Sequence, residues 1–398
     1  MSRSDPRAPG ALPPVVLVLA AGTFLMGTTE FMIAGLLPQM AADFDVSVSQ
    51  AGLLVTAFAV GIIVGAPVMA VLTLRLPRAL VLRLALLVFA LGHVLLALCT
   101  SFEVALAARL LTALAAGAFW AVSAVVATAA AGPAHTVRAL GVLTGGLTVA
   151  NVLGVPLGAF AGQLTGWRGL LWVLAALAVA AAVLIGRFIP APTSERRAAV
   201  RAELQALRST NLWLALAACA LILGGLMAAY TYISPLLTDN AGIPEPFVPL
   251  VLVVFGIGTV AGSTTGGRLG DRWPMATTIT AAVATAVGLV ALAVLSTYAV
   301  AVVCLVAVLG LTGFTVNPIV GALAIRFAGP APTLASALTS SAFNVGVAGG
   351  SWLAGLALET RLGLVGPALI GAVIAGATVI PLGLLAGRHA VRDRARTA

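Results

Sequence analysis

Glu30 and Arg109 are the one acid and the one strong base placed well inside the long apolar stretches of this 398-residue chain. A charge at the centre of a membrane helix costs about 2.5–3.5 kcal/mol or more, so such a group reads as functional by default. Glu30 stands about seven residues before the end of its stretch, and Arg109 about six after the start of its own. At ~1.5 Å per residue, both lie roughly 9–11 Å below the same boundary. Opposite charges at one level suit a carboxyl group that carries a proton and a cation that biases its protonation. A structural ion pair that neutralises two buried charges would use the same residues. Arg109 shares a helix face with Thr112, Ala116 and Trp120. Trp120 offers a flat apolar wall with one N–H donor, suited to an aromatic solute. Tyr230, Tyr232, Asn317, Ser341 and Asn344 are the comparable polar groups of the second half, and they must find partners in a ligand or another helix. His93 reads as a neutral, buried ring in the third stretch.

Other chemistry is excluded by what the chain lacks. All 21 basic residues are arginine. Without lysine there is no GxxxxGK[ST] phosphate loop and no Schiff base, so work must draw on an ion or concentration gradient. No His, Asp and Glu cluster of metal-ligand or triad type appears, so no enzyme, metal or cofactor is expected. Cys99, Cys219 and Cys304 have no paired spacing and read as packing residues.

The elements that must position these residues are membrane helices. The composition is 61% hydrophobic and 8% charged, that of an integral membrane protein. The apolar runs are continuous rather than alternating, which excludes a transmembrane barrel. Twelve runs are long enough to cross a core of about 30 Å. They cover 13–37, 48–72, 79–99, 103–128, 139–162, 167–189, 210–237, 247–269, 274–297, 299–324, 333–358 and 363–387. This gives a tail 1–12, a six-helix bundle 13–189, a linker 190–209, a second bundle 210–387 and a tail 388–398. In the linker, Val200, Leu204 and Leu207 form a short apolar stripe beside arginines, able to lie on a membrane surface. Apart from Arg109, only Arg168 and Arg361 fall outside the termini and the loops on their side. Basic loops stay inside, so both termini are expected in the cytoplasm. The net charge of +9 therefore reports topology, not nucleic-acid binding. The first run has no cleavage signature and reads as a retained helix.

The two halves repeat. An offset of 197 carries Arg75 to Arg272, Pro77 to Pro274, Gly61 to Gly258, Gly65 to Gly262 and Gly158 to Gly355. Parallel six-helix repeats about an axis along the membrane normal are a transporter architecture. The same offset carries Glu30 to Met227 and Arg109 to Val306, so any proton chemistry belongs to the first half. Glycines at every fourth position, as in Gly154-x3-Gly158-x3-Gly162, allow close helix approach, and Pro156 can bend its helix. Such smooth faces fit either tight packing or a rocking interface.

Gly267-x-x-x-Asp271-Arg272 resembles the loop signature of the major facilitator superfamily. Gly145-x8-Gly154-Val-Pro156-Leu-Gly158 resembles the antiporter signature of its drug-exporting branch, and Arg109 resembles that branch's membrane arginine. Gly27-Thr-Thr-Glu30-Phe31-Met32, Ala57 to Pro67, Thr231 to Asp239 and Phe343-Asn344-Val-Gly346 are similar to stretches of Cml-type chloramphenicol exporters. The chain departs from the superfamily pattern at four positions: Leu74 stands for the usual Asp, Pro77 and Pro274 for Gly, and Val155 for the Gly before proline.

The resemblance implies an all-α, twelve-helix drug:proton antiporter of a bacterial inner membrane, working as a monomer. Its substrate would be chloramphenicol or another phenicol; a sugar, nucleoside or natural product is the alternative cargo. Proton coupling is expected at Glu30 and Arg109. Substrate contact is expected at Trp120, Tyr230, Tyr232, Asn317 and Asn344. Conformational roles are expected at Gly154, Pro156 and Gly158, with a cytoplasmic latch at Asp271 and Arg272.

Overall fold

A backbone inside a bilayer must satisfy its own hydrogen bonds, and continuous apolar runs do so as helices. The structure, a computed structural model, describes residues 12–72, 76–132, 135–188, 208–328 and 332–397. These residues form helices joined by short turns, with no strand among them. The first span comprises Pro14–Phe31 and Ile33–Asp43, the second Val48–Leu72, the third Arg78–Leu98 and the fourth Phe102–Ala131. Thr136–Val149 begins the fifth span, a π turn at Ala150–Gly154 continues it, and Val155–Phe188 carries its end and the whole sixth span. Gly166, with φ +73°, separates the two. The stretch 138–188 thus holds two crossings, although by length and apolarity alone it is one of eleven.

The seventh span is Thr210–Thr231 followed by a turn and a π turn at Leu236–Asn240. The eighth is Val248–Arg272, the ninth Pro274–Val294, the tenth Ala299–Phe327 and the eleventh Pro332–Leu358. The twelfth comprises Gly366–Ala377 and Val379–Thr397, so helix runs on through the residues expected as a tail. Most of the linker, 190–207, with its apolar stripe, and Leu74 of the first-half loop lie outside the described residues.

Local chemistry explains the irregular points. Proline lacks an N–H and crowds the carbonyl four residues before it. Pro156 follows the π turn in which the Val155 N–H reaches back five residues to Ala150, and this wider turn absorbs the crowding. Pro235 likewise precedes the second π turn, where the Ala241 N–H reaches Leu236. Pro77 and Pro274 stand at the starts of the third and ninth spans, where the missing donor costs nothing. Ser101 and Ser209 cap the fourth and seventh spans by accepting from Val104 and Leu212 N–H.

The glycine faces of the fifth span meet the first span of the same half. A Cβ at Gly154 would collide with Thr28, and one at Gly162 with Leu36. These faces therefore serve close packing inside the first half, whereas a different glycine lies between the halves. A Cβ at Gly256, in the eighth span, would stand 2.6 Å from the Asn151 carbonyl of the fifth.

The halves are tied at the face opposite the chain termini. Ser49 Oγ donates to the Gly355 carbonyl at 2.9 Å, and Thr56 and Ser351 share a hydroxyl hydrogen bond of 2.8 Å. Past Val55 and Phe58, nearer the termini, Ser341 Oγ reaches the Ile63 carbonyl at 3.4 Å. Gln163 Nε2 donates to the Glu245 carbonyl at 2.6 Å across the fifth and eighth spans. Below the Ser49 and Thr56 ties, a central cavity lies between the halves.

Candidate functional site

The first and seventh spans both lose helical regularity beside that cavity. The first breaks at Met32, directly after Glu30 and Phe31; the seventh breaks at Tyr232, directly after Tyr230 and Thr231. About 320 Å³ of unfilled space, part of it open, lies between these walls. Glu30, Phe31, Val55 and Phe58 contribute from the first half, and Met227, Tyr230, Thr231 and Asn344 from the second. Glu30 is half-buried, and its side chain is the one carboxyl group on this otherwise mostly apolar wall. Met227, its partner under the 197-residue offset, lines the same cavity.

Arg109 is fully buried and adjoins Glu30 without touching its carboxylate. Its Nη1 donates to the Thr29 carbonyl at 3.2 Å and its Nε to the Leu54 carbonyl at 3.2 Å. Its guanidinium lies 4.3 Å from the centre of the Phe58 ring. The expected level placement holds, since Arg109 bonds to the residue next to Glu30. The depth is different: the first span runs to Asp43, not to residue 37, which puts Glu30 nearer its middle. No ion pair joins Glu30 and Arg109 among the described residues, and Arg109 Nη2 is buried without a hydrogen-bond partner. Fixed by two carbonyls and a ring, the cation acts on Glu30 through space, and one of its nitrogens stays unfilled.

His93 completes this cluster. It is fully buried, with Nδ1 2.7 Å from the Phe89 carbonyl and Nε2 2.5 Å from Thr29 Oγ1. A carbonyl only accepts, so Nδ1 carries the proton and Nε2 accepts from the Thr29 hydroxyl. Thr29 is thus held on both sides, by His93 at its side chain and by Arg109 at its carbonyl. The helix bearing Glu30 is fixed rigidly one residue before the carboxylate.

The remaining expected residues divide. Tyr230 and Asn344 line the cavity with Glu30. Asn344 Nδ2 donates to the Ser340 carbonyl at 3.1 Å, while its Oδ1 has no partner. Tyr232 lies outside the cavity wall. Its hydroxyl bridges the halves, donating toward the carbonyls of Ser351 at 3.1 Å and Ser49 at 3.4 Å. Trp120 and Asn317 are absent from the lining, and each holds a buried polar atom, Nε1 and Oδ1, without a partner. Asp271 and Arg272 are exposed at the termini face; Arg272 lies over the Trp273 ring at 4.6 Å. Among the described residues Asp271 enters no ion pair.

Sequence reasoning missed several participants. Phe58, Val55 and Phe31 sit on helices apolar all round, where no periodicity marks a cavity face. Thr29 beside Glu30, and Ser49, Thr56 and Ser351, carried a signal in their hydroxyls alone. Arg168 was read for topology only. It forms an ion pair with Asp43, which also accepts from Trp167 Nε1 at 2.7 Å, clamping the first span to the sixth.

The chain matches the Major Facilitator Superfamily model over residues 19–331. It is 39% identical to the chloramphenicol resistance protein of Streptomyces lividans, covering 89% of this chain and 92% of that one. It is 34% identical to the inner membrane transport protein YdhP of Escherichia coli strain K12, over 92% and 94% of the two chains. A probable sugar efflux transporter of Mannheimia succiniciproducens is 29% identical over 92% of each. The fold matches a bacterial homologue of the lysosomal transporter Spinster with a TM-score of 0.69 at 18% identity, covering 96% of each chain. Family, spans and relatives make this a multi-pass transport protein of the bacterial inner membrane, not an enzyme. The chain belongs to the major facilitator superfamily.

Proposed function

We propose that this chain exports a small amphipathic molecule, chloramphenicol or a related phenicol first, in exchange for protons taken up at Glu30. The single observation that carries the reading is the lone carboxyl group on the largely apolar wall of a cavity shared by both halves. Similarity to the Streptomyces lividans protein supports the cargo. A sugar is a poorer fit. It would need many hydrogen-bonding groups, and beside Glu30 the wall offers only Tyr230, Thr231 and Asn344 side chains.

In this reading both termini are cytoplasmic, as the arginine distribution favours. The ties Ser49–Gly355 and Thr56–Ser351 then close the external face, and cargo enters from the cytoplasm. Cargo bound against Glu30 favours one protonation state of the carboxyl group. Deprotonated, Glu30 can turn to the unfilled Arg109 Nη2; protonated, it needs no counter-charge. Rocking of the halves then exposes the cavity to the other side. Asp271 and Arg272 act as a cytoplasmic latch that forms when the external ties part. Tyr232 serves the external closure, while Tyr230 and Asn344 meet the cargo. Trp120 and Asn317, with their unpartnered atoms, are reserved for the state in which the cavity is open to the outside.

Chloramphenicol accumulation in a pump-deficient bacterium tests the reading. Cells expressing the chain should hold less drug than controls, and a protonophore should abolish the difference. Drug levels equal to those of controls would remove the phenicol assignment, and export insensitive to the protonophore would remove the proton coupling.

A further inference from the structure

Behind Tyr230 lies a second cavity within the second half, with about 240 Å³ of unfilled space, part of it open. Leu226, Ala229, Tyr230 and Ile233 of the seventh span, Phe255 of the eighth, Leu292 of the ninth, and Val306 and Leu309 of the tenth line it. Tyr230 also lines the central cavity, so its ring is the partition between the two. No other side chain of this niche carries a polar atom.

The internal repeat explains what the niche is. The 197-residue offset carries Thr29 to Leu226, Phe58 to Phe255, Arg109 to Val306 and Thr112 to Leu309. Four walls of the niche are therefore the counterparts of Arg109 and three residues that surround it. In the first half the space is filled by a planar guanidinium stacked on Phe58 at 4.3 Å. In the second half arginine is replaced by valine, the threonines by leucines, and the space is left apolar and partly vacant. Over Phe255 the flat group is the Tyr230 ring, stacked at 4.3 Å with an interplanar angle of 27°. Phe314 meets the Phe255 ring edge-on at 6.2 Å. One half thus keeps a fixed charge where the other keeps a slot for a flat, uncharged group.

We propose that this niche is the subsite for an uncharged aromatic ring of the transported molecule, with Tyr230 as its movable wall. The ring enters from the central cavity as Tyr230 turns off Phe255, and it stacks on the Phe255 face that Tyr230 releases. The polar end of the molecule remains in the central cavity near Glu30 and Asn344. An apolar wall holds water weakly, so such a guest displaces little that is bound, and offset aromatic stacking adds to the burial. The inference rests on the export reading and adds the chemical class that the second half selects.

Substrate selectivity of filled and opened niches tests it. Val306→Phe and Leu309→Phe fill the niche; Val306→Ala opens it. Each is compared with wild type in a pump-deficient bacterium for resistance to chloramphenicol and to a panel of ring-bearing and ring-free amphiphiles of similar size. At equal amounts in the membrane, the filled variants should lose about tenfold or more in export of ring-bearing compounds, the scale of a small misfit in an apolar pocket. Ring-free compounds should be exported as by wild type, and Val306→Ala should favour bulkier rings. Equal loss on both classes, or no loss on either, overturns the proposal. If the filled variants do not reach the membrane, an unchanged ring-size preference in Val306→Ala overturns it alone. Wild-type export confined to ring-free compounds also overturns it and leaves proton coupling standing. Failure of proton coupling shows separately, as uphill export by Glu30→Gln with ring selectivity retained.

Discussion

In the proposed mechanism Arg109 serves fold and chemistry together. Its two carbonyl bonds and its ring contact tie the fourth span to the first and second, while its charge acts on Glu30. Lysine cannot reproduce this, because a point charge does not span two acceptors in fixed planar geometry. Arg109→Lys should therefore lower export at least about tenfold with the protein still in the membrane, given that a hydrogen bond to a charged group is worth about 1.5–3 kcal/mol. Drug accumulation normalised to membrane content measures this; wild-type export by Arg109→Lys would reduce the arginine to a plain positive charge. Glu30→Gln keeps size and hydrogen bonding but cannot titrate, so it should bind cargo and lose uphill export. Glu30→Asp should keep part of the activity. The sequence exposed this pair because two charges in apolar runs have no bland explanation. It did not expose the missing ion pair, since spacing reports depth along a helix and not the direction a side chain takes. Nor did it expose the Thr29–His93 bond, for threonine is common in membrane helices and satisfies itself on its own backbone, as Thr28 does on Phe24.

At the scale of elements, the second, seventh and eleventh spans form one closure. Tyr232 stands at the break of the seventh span and bonds to backbone carbonyls on both of the others. A typical intramolecular hydrogen bond contributes about 0.5–1.5 kcal/mol, so removing the hydroxyl should move the closed–open balance roughly two- to tenfold toward opening at this face. The check is the rate at which an impermeant thiol reagent, added outside, modifies a cysteine at Val55 on the cavity wall. That rate should be higher with Tyr232→Phe than with Tyr232 intact; an equal rate would deny Tyr232 a part in closure. The position of most spans was legible, because length and apolarity suffice for a helix in lipid. Their ends were less so. The first span was expected to end at residue 37, yet its helix continues through Pro38 to Asp43. The glycine runs announced close approach but not its partner. Gly154 faces its own half, while Gly256, one of several glycines between the halves, belonged to no run singled out in the sequence.

For the whole molecule, orientation decides whether the closed face is external. Cysteines at Ser47 and Arg361, in a background without the native thiols, should react with an impermeant reagent from outside intact cells. Cysteines at Arg268 and Arg388 should react only after permeabilisation. The reverse pattern would make the observed closure cytoplasmic and the proposed direction of entry wrong. The two-fold repeat was legible at this scale from arginine, proline and glycine spacing. The same offset already showed that Glu30 and Arg109 have no counterpart in the second half; that Glu30 and Met227 line one cavity, with an apolar niche behind the second wall, was legible only in the fold.

The central claim is that binding of cargo and protonation of Glu30 are linked. Adding chloramphenicol to purified, detergent-solubilised protein in weak buffer, with a pH indicator, measures this linkage directly. Wild type should release protons in proportion to the protein occupied, while Glu30→Gln binds the drug and releases none. Equal proton release from both proteins, or binding by wild type without any release, would contradict the account.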